Sequence, residues 1–243
     1  MVLSAGISSA IAQVQAPEWA QPGSATHQQV APPAGFHRAT VTFNAPIGLF
    51  DGQSDVGGAL VAGSASYDAA AGKYTIHSAG YNIWYQRDEF RYLWKKMSGD
   101  VSIAADTAFP DPKGYDDRKV TIIFRQTLED DAKEAMIAQH GAGMIHLAWR
   151  PETGAQISDM QYRFGGQLAG VHAQRIGIEK HGDEFAIFIS LKGEPMHQFG
   201  PPTTLHLDGP FYVGIGFCSH LPTTVDTGEF WNVVLENAAG KVR

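Results

Sequence analysis

A single cysteine, Cys218, in 243 residues excludes an internal disulfide. No apolar run approaches the roughly 18 residues that a membrane-spanning helix needs. Ten histidines are present, but no H-x-H or H-E-x-x-H spacing and no Cys/His cluster builds a transition-metal or structural zinc site. Positive charge is also short: 18 Lys and Arg against 25 Asp and Glu leave a net charge of −7. That balance disfavours nucleic acid and anionic lipid, which reward a positive surface, and points to a neutral or weakly charged partner. Strand-helix alternation is missing, as are a glycine-rich phosphate loop and a G-x-S-x-G nucleophile elbow. Doubly wound nucleotide folds and serine hydrolases of that type are thereby removed.

What is present is β-forming. Apolar residues make up 44 % of the chain, enough for a sizeable core, and 27 Gly with 13 Pro supply many turns. Thirteen short β-branched and aromatic runs lie between Ala39 and Glu236, among them Glu89–Met97, Lys119–Gln126, Glu134–His140, Met144–Arg150, Met160–Arg163 and Phe211–Ser219. Turn signals such as "YDAAAGKY", "HGAGM" and "HLDGPF" separate them. Only 127–135 and the flanks of 111–119 read as helix or loop. So many strands imply two packed antiparallel sheets. Ahead of them, residues 1–12 end in the small-x-small pattern Ala10-Ile11-Ala12 of an export signal, or form an Ala/Ser-rich arm, and 13–38 are a Pro/Gln/Gly-rich linker. One domain is expected over 39–243, in a periplasmic or secreted protein.

The stretch "SDVGGALVAGSASYDAAAGKYTIHSAGYNIWYQRDEFRYLWKKMSGDVSIAA", with the later "VTIIFRQTLEDDAKEAMIAQHGAGMIHLAWR", "RIGIEKHGDEFAIFISLKGEPMH" and "FYVGIGFCSHLPTTVDTGEFWNVVLE", resembles bacterial jelly-roll domains of the concanavalin A-like lectin/glucanase superfamily, a LamG-like group of unknown function. The likeness spans about residues 47–237 and rests on the order of its motifs. It implies an all-β, two-sheet antiparallel jelly-roll sandwich with one concave face where relatives bind or cleave glycans. Two positions depart from the group's pattern: Asn82 replaces the usual Asp before Ile-Trp, and Lys180 replaces a common Arg.

Candidate site residues come from several strands. Alternation puts Asp88, Phe90, Tyr92, Trp94 and Lys96 on one face and Glu89, Arg91, Leu93, Lys95 and Met97 on the other. The ring row either offers stacking surface to the apolar face of a sugar or fills the gap between the sheets. Trp84, Tyr92, Trp94 and Trp149 are the stacking candidates. Arg125, His140, His146, Arg150 and Arg163 are the polar ones, since several long polar groups on mid-chain strands need a wet groove or acidic partners. The ligand expected is a carbohydrate or another small polar molecule.

Two alternatives stand beside a pure binder. A glycan-cleaving hydrolase or lyase would use Glu89 with His140 as catalytic pair, and a non-catalytic envelope module would dock a protein through a sheet face. "EDDAKE" places Glu129, Asp131 and Glu134 at the spacing of a jelly-roll glucanase strand, but the polar residues between them read as a solvated turn. Cys218 and His220 flank Ser219 in "GFCSH", which reads as core ending in a turn with an inert thiol. No cofactor is expected apart from calcium, for which "DGQSD" offers Asp51, Ser54 and Asp55; the same residues also suit an Asx-type turn.

Overall fold

A computed structural model describes residues 37–242. The export-signal-like segment 1–12 and all but the last two residues of the linker lie outside the described residues. Eighteen strands follow one another: β1 Val41–Phe43, β2 Gly52–Val56, β3 Ser64–Asp68, β4 Lys73–Ser78, β5 Ile83–Trp84, β6 Arg87–Asp88, β7 Phe90–Met97, β8 Val101–Ala108 and β9 Lys119–Arg125; then β10 Glu134–His140, β11 Ile145–Arg150, β12 Ser158–Tyr162, β13 Arg175–His181, β14 Glu184–Ser190, β15 His197–Gln198, β16 Thr203–Thr204, β17 Phe211–Cys218 and β18 Asp226–Glu236. One short 3-10 turn, Gly166–Leu168, is the only helical element among the described residues.

Every pairing is antiparallel. One sheet runs β1-β2-β7-β17-β9-β10-β11-β12, and the other runs β15-β14-β13-β8-β18-β4-β3 with β16 beside β14. This is the two-sheet jelly-roll sandwich that the resemblance implies. Period-two alternation explains which side chains meet between the sheets. In β9, "KVTIIFR" sends Val120, Ile122 and Phe124 inward, where they join Ile137, Leu147, Val213, Ile215 and Phe217 of the same sheet. Ile76, Ile103, Ile176, Ile178, Ile187 and Phe230 come from the opposite sheet.

Yet all seven residues of β9 and all seven of β10 are buried, so the outer face of these strands is covered as well. The cover is the hairpin β5–β6 with residues from neighbouring loops. Ile83 and Ile157 form a second apolar cluster with Val56, Phe90, Tyr92, Trp94, Ile123 and Met136. The ring row of β7 therefore does share one face, but that face looks away from the gap between the sheets. Close approach is permitted by β17: a Cβ on Gly216 would stand 2.7 Å from Cε2 of Phe90.

Local differences from the sequence reading have simple causes. In "DGQSD" only Asp51 lies in a bend; Gly52 to Asp55 belong to β2, because their backbone is claimed by β1 on one side and β7 on the other. Residues 127–131 are turns and bends and 132–133 are irregular, whereas Glu134 and Ala135 already belong to β10.

Candidate functional site

Along the outer face of the first sheet, β9 presents Lys119, Thr121, Ile123 and Arg125 in line, about 6–7 Å apart per step. The far end of this line is sealed. Arg125 and Arg150, both 0 % exposed, meet Asp88 from the hairpin and Glu134 from β10. Nη1 of Arg125 donates to Asp88 at 2.7 Å and also bonds Glu134; Arg150 donates to Asp88 at 2.8 Å and pairs with Glu134 at 3.1 Å. Burial pushes the Asp88 carboxyl up, but Arg150 and Arg125 outweigh it and hold it below its usual range. Burial pushes the Glu134 carboxyl up to about 8 although Arg125 and Arg150 act to lower it, so Asp88 is the carboxylate that faces the two guanidiniums out of water and pins the hairpin to the sheet.

The near end is open. Asn82, Trp84, Asp117, Lys119, His140, Met144, His146, Gln161, Arg163 and His220 line a cavity of about 220 Å³. His140 ends β10 and His146 sits second in β11, so antiparallel pairing brings their rings to 5.0 Å, edge to face. Trp84, half-buried, stacks on His146 at 5.2 Å with the planes 3° apart, and the Lys119 ammonium lies 5.6 Å from the indole centre. Nζ of Lys119 donates to Oδ1 of Asn82 at 2.7 Å. His220, in a left-handed conformation at φ 66°, donates from Nδ1 to the Asp117 carbonyl at 2.9 Å.

Both ring nitrogens of His140 and of His146 lack a hydrogen-bond partner among the described residues. Nδ1 of His140 lies 3.5 Å from Asp117, and Nδ1 of His146 lies 4.0 Å from Asp159. Burial, then Lys119 and Arg163, push the His140 imidazole well below its ordinary value. Burial, then His140 and Lys119, do the same to His146, and His220 falls to about 3 for want of water and proximity to Lys119. These rings are neutral near pH 7, each able to donate once and accept once. Burial lowers Lys119 from its ordinary value, although Cys218 and Asp117 act to raise it.

Of the side chains singled out from sequence, Trp84, His140, His146 and Arg163 come together at this cavity. The others are elsewhere. Arg125 and Arg150 are sealed in the ion cluster, because strand alternation carries them toward the covering hairpin's acid rather than toward solvent. Tyr92 is fully buried with its hydroxyl on the Ile123 carbonyl at 3.0 Å, and Trp94 gives its indole N–H to Ser54 at 2.9 Å under the same cover. Trp149 packs against the core between the sheets, its neighbours Ala148 and Arg150 facing the other way. Glu89 does not meet His140: its carboxylate pairs with Arg38 and accepts the Tyr81 N–H at 2.9 Å.

The oxygens considered for calcium face separate partners. Asp51 pairs with Lys95 at 3.0 Å, Asp55 with Arg91 at 3.0 Å, and Ser54 takes the Trp94 N–H. Among the described residues, no group of three or more His, Cys, Asp or Glu is placed to hold a metal ion. The Cys218 thiol is buried against the Gly80 carbonyl at 3.4 Å, and burial raises it to about 11. Lys119 and Asp117 were not among the candidates picked from sequence. Their signal is faint: Lys119 opens an apolar strand where a charge usually marks a strand end.

No family model matches the sequence, and no curated protein matches it. Among solved structures, a functionally unknown protein from Saccharomyces cerevisiae is similar, at 15 % identity over 83 % of this chain and 97 % of that one, with a TM-score of 0.54. A native glycosidic hydrolase aligns at 11 % identity over 81 % and 93 % with a TM-score of 0.46. A carbohydrate-binding module from Bacillus subtilis aligns at 14 % over 72 % and 92 % with a TM-score of 0.43. At such identities the likeness speaks to fold alone, and the fold is a two-sheet antiparallel jelly roll.

Proposed function

We propose that the protein binds a carbohydrate, one ring or a chain end, in the cavity between Trp84 and the Lys119, His140 and His146 side chains. The observation that carries this reading is a part-exposed indole beside two buried imidazoles whose nitrogens have no hydrogen-bond partner among the described residues, all lining one open cavity. A pyranose has an apolar C–H face and a fringe of hydroxyls; an indole answers the first, and neutral imidazoles, an amide and an ammonium answer the second. Size narrows the ligand. About 220 Å³ is less than the roughly 300 Å³ at the lower end of pockets that bury a drug-sized molecule, so the site suits a single ring better than an enclosed chain.

Binding is favoured over hydrolysis. Glycosidases flank the scissile bond with two carboxyl groups, whereas Asp117 is the one carboxylate among the described lining residues. Calorimetric titration against a panel of neutral and acidic glycans, run beside a reducing-end assay, tests the reading. Saturable binding without new reducing ends is expected, with Trp84→Ala and His146→Ala each weakening it at least tenfold, about 1.4 kcal/mol. Release of reducing ends, or binding indifferent to both substitutions, overturns it.

A further inference from the structure

Resting on that reading of the cavity, we propose that its ligand is anionic, a sugar ring bearing a carboxylate, with Lys119 as the buried counter-charge and Arg163 as the second cation at the rim.

This protein gives its other buried cations partners within the chain. Arg91 pairs with Asp55 at 3.0 Å, Arg118 with Asp226 at 2.8 Å, and Arg125 and Arg150 share Asp88 and Glu134. Lys180 satisfies its ammonium with the Gly182 and Gly99 carbonyls at 2.5 and 3.4 Å. Lys119 differs. It is 1 % exposed and, like Lys180, forms no ion pair with a carboxylate among the described residues, but where Lys180 has two carbonyl acceptors its ammonium has a single one, the uncharged amide oxygen of Asn82. An ammonium carries three donors, and a buried charge without a counter-ion is costly. The Trp84 ring 5.6 Å away offsets part of that cost without supplying an acceptor.

The residue beside Nζ is Asn82, whose amide accepts a hydrogen bond but supplies no counter-charge. Arg163 is exposed on the same rim, with no ion pair among the described residues. Asp117 is the opposing charge; its side chain is 41 % exposed and lies nearest His140 rather than Lys119. A carboxylate offers about four acceptor sites to the spare donors of Lys119, Arg163 and the imidazoles, whereas a hydroxyl offers two and carries no charge. The chain's overall −7 does not oppose this, because surface charges beyond a Debye length are screened and the cavity's own groups dominate at contact.

The test compares glucuronate and galacturonate oligosaccharides with their neutral glucose and galactose counterparts, by calorimetry, on the wild type, Asn82→Asp and Lys119→Met. The wild type is expected to bind at least one uronate tenfold more tightly than its neutral counterpart. Asn82→Asp, which provides an internal counter-ion, is expected to erase that preference, and Lys119→Met to lose uronate binding, both variants retaining the wild-type circular dichroism spectrum. Equal or tighter binding of neutral sugars overturns the anionic assignment and leaves the carbohydrate reading intact. If no sugar binds but acetate or inorganic phosphate stabilises the wild type and not Asn82→Asp, the carbohydrate reading fails and the anion site stands. An acid-to-neutral ratio unchanged by Asn82→Asp also overturns the assignment.

Discussion

Asp88 is a single carboxylate answering to two guanidiniums, and its removal leaves charge that water cannot reach. Breaking a buried ion cluster by deleting one member costs about 3–5 kcal/mol, more than the pairs themselves contribute net. Asp88→Asn is therefore expected to lower stability by that amount in urea unfolding; a loss under about 1 kcal/mol would mean that the two arginines do not depend on the Asp88 charge. The sign with pH follows. Because the Asp88 carboxyl is held low by Arg150 and Arg125 against its burial, its contribution is present above the unfolded value and is lost as pH falls through the folded one. Residue types at this scale were legible in the sequence, partners were not. Arg125 and Arg150 read as groove cations because nothing local shows that Asp88, 37 and 62 positions away, closes over them.

At the scale of elements, β5–β6 decides which part of the outer sheet face meets solvent. Its anchor is Ile83, 0 % exposed, inserted among the β7 rings and the Ile123 and Met136 side chains. Ile83→Ala is expected to cost about 2–5 kcal/mol in chemical denaturation and to raise the exposure of Trp94, read as a red-shifted emission. Emission unchanged alongside a loss below 1 kcal/mol would show that the hairpin is held by its ions alone. The longer strands were legible because alternation and flanking turns mark them. Two-residue strands such as β5 and β6 carry no periodicity, and so the cover was not legible. That omission explains why Tyr92 and Trp94 read as stacking surface: their strand face was assigned correctly, but the hairpin that roofs it comes from a stretch with no β pattern of its own.

Considered as a whole, the molecule keeps three neutral imidazoles, His140, His146 and His220, next to one ammonium. Their folded values are depressed by burial first and by neighbouring cations second, so the unfolded chain binds protons that the folded one refuses. Stability is therefore full above the unfolded histidine value of about 6.5 and falls as pH drops below it. Each imidazole adds a slope of up to about 1.4 kcal/mol per pH unit. Melting curves between pH 7 and 5 should show this, with a shallower slope in His146→Gln; a flat profile would mean that the rings take up protons in the folded state as readily as in the unfolded one. The topology has a consequence for synthesis. β17 lies between β7 and β9 in one sheet, and β18 lies between β8 and β4 in the other. A ribosome that has not passed residue 211 holds each sheet as two separate parts with open inner edges and nothing to join them, so the nascent protein stays without either finished layer until β17 and β18 emerge, and needs shelter until then.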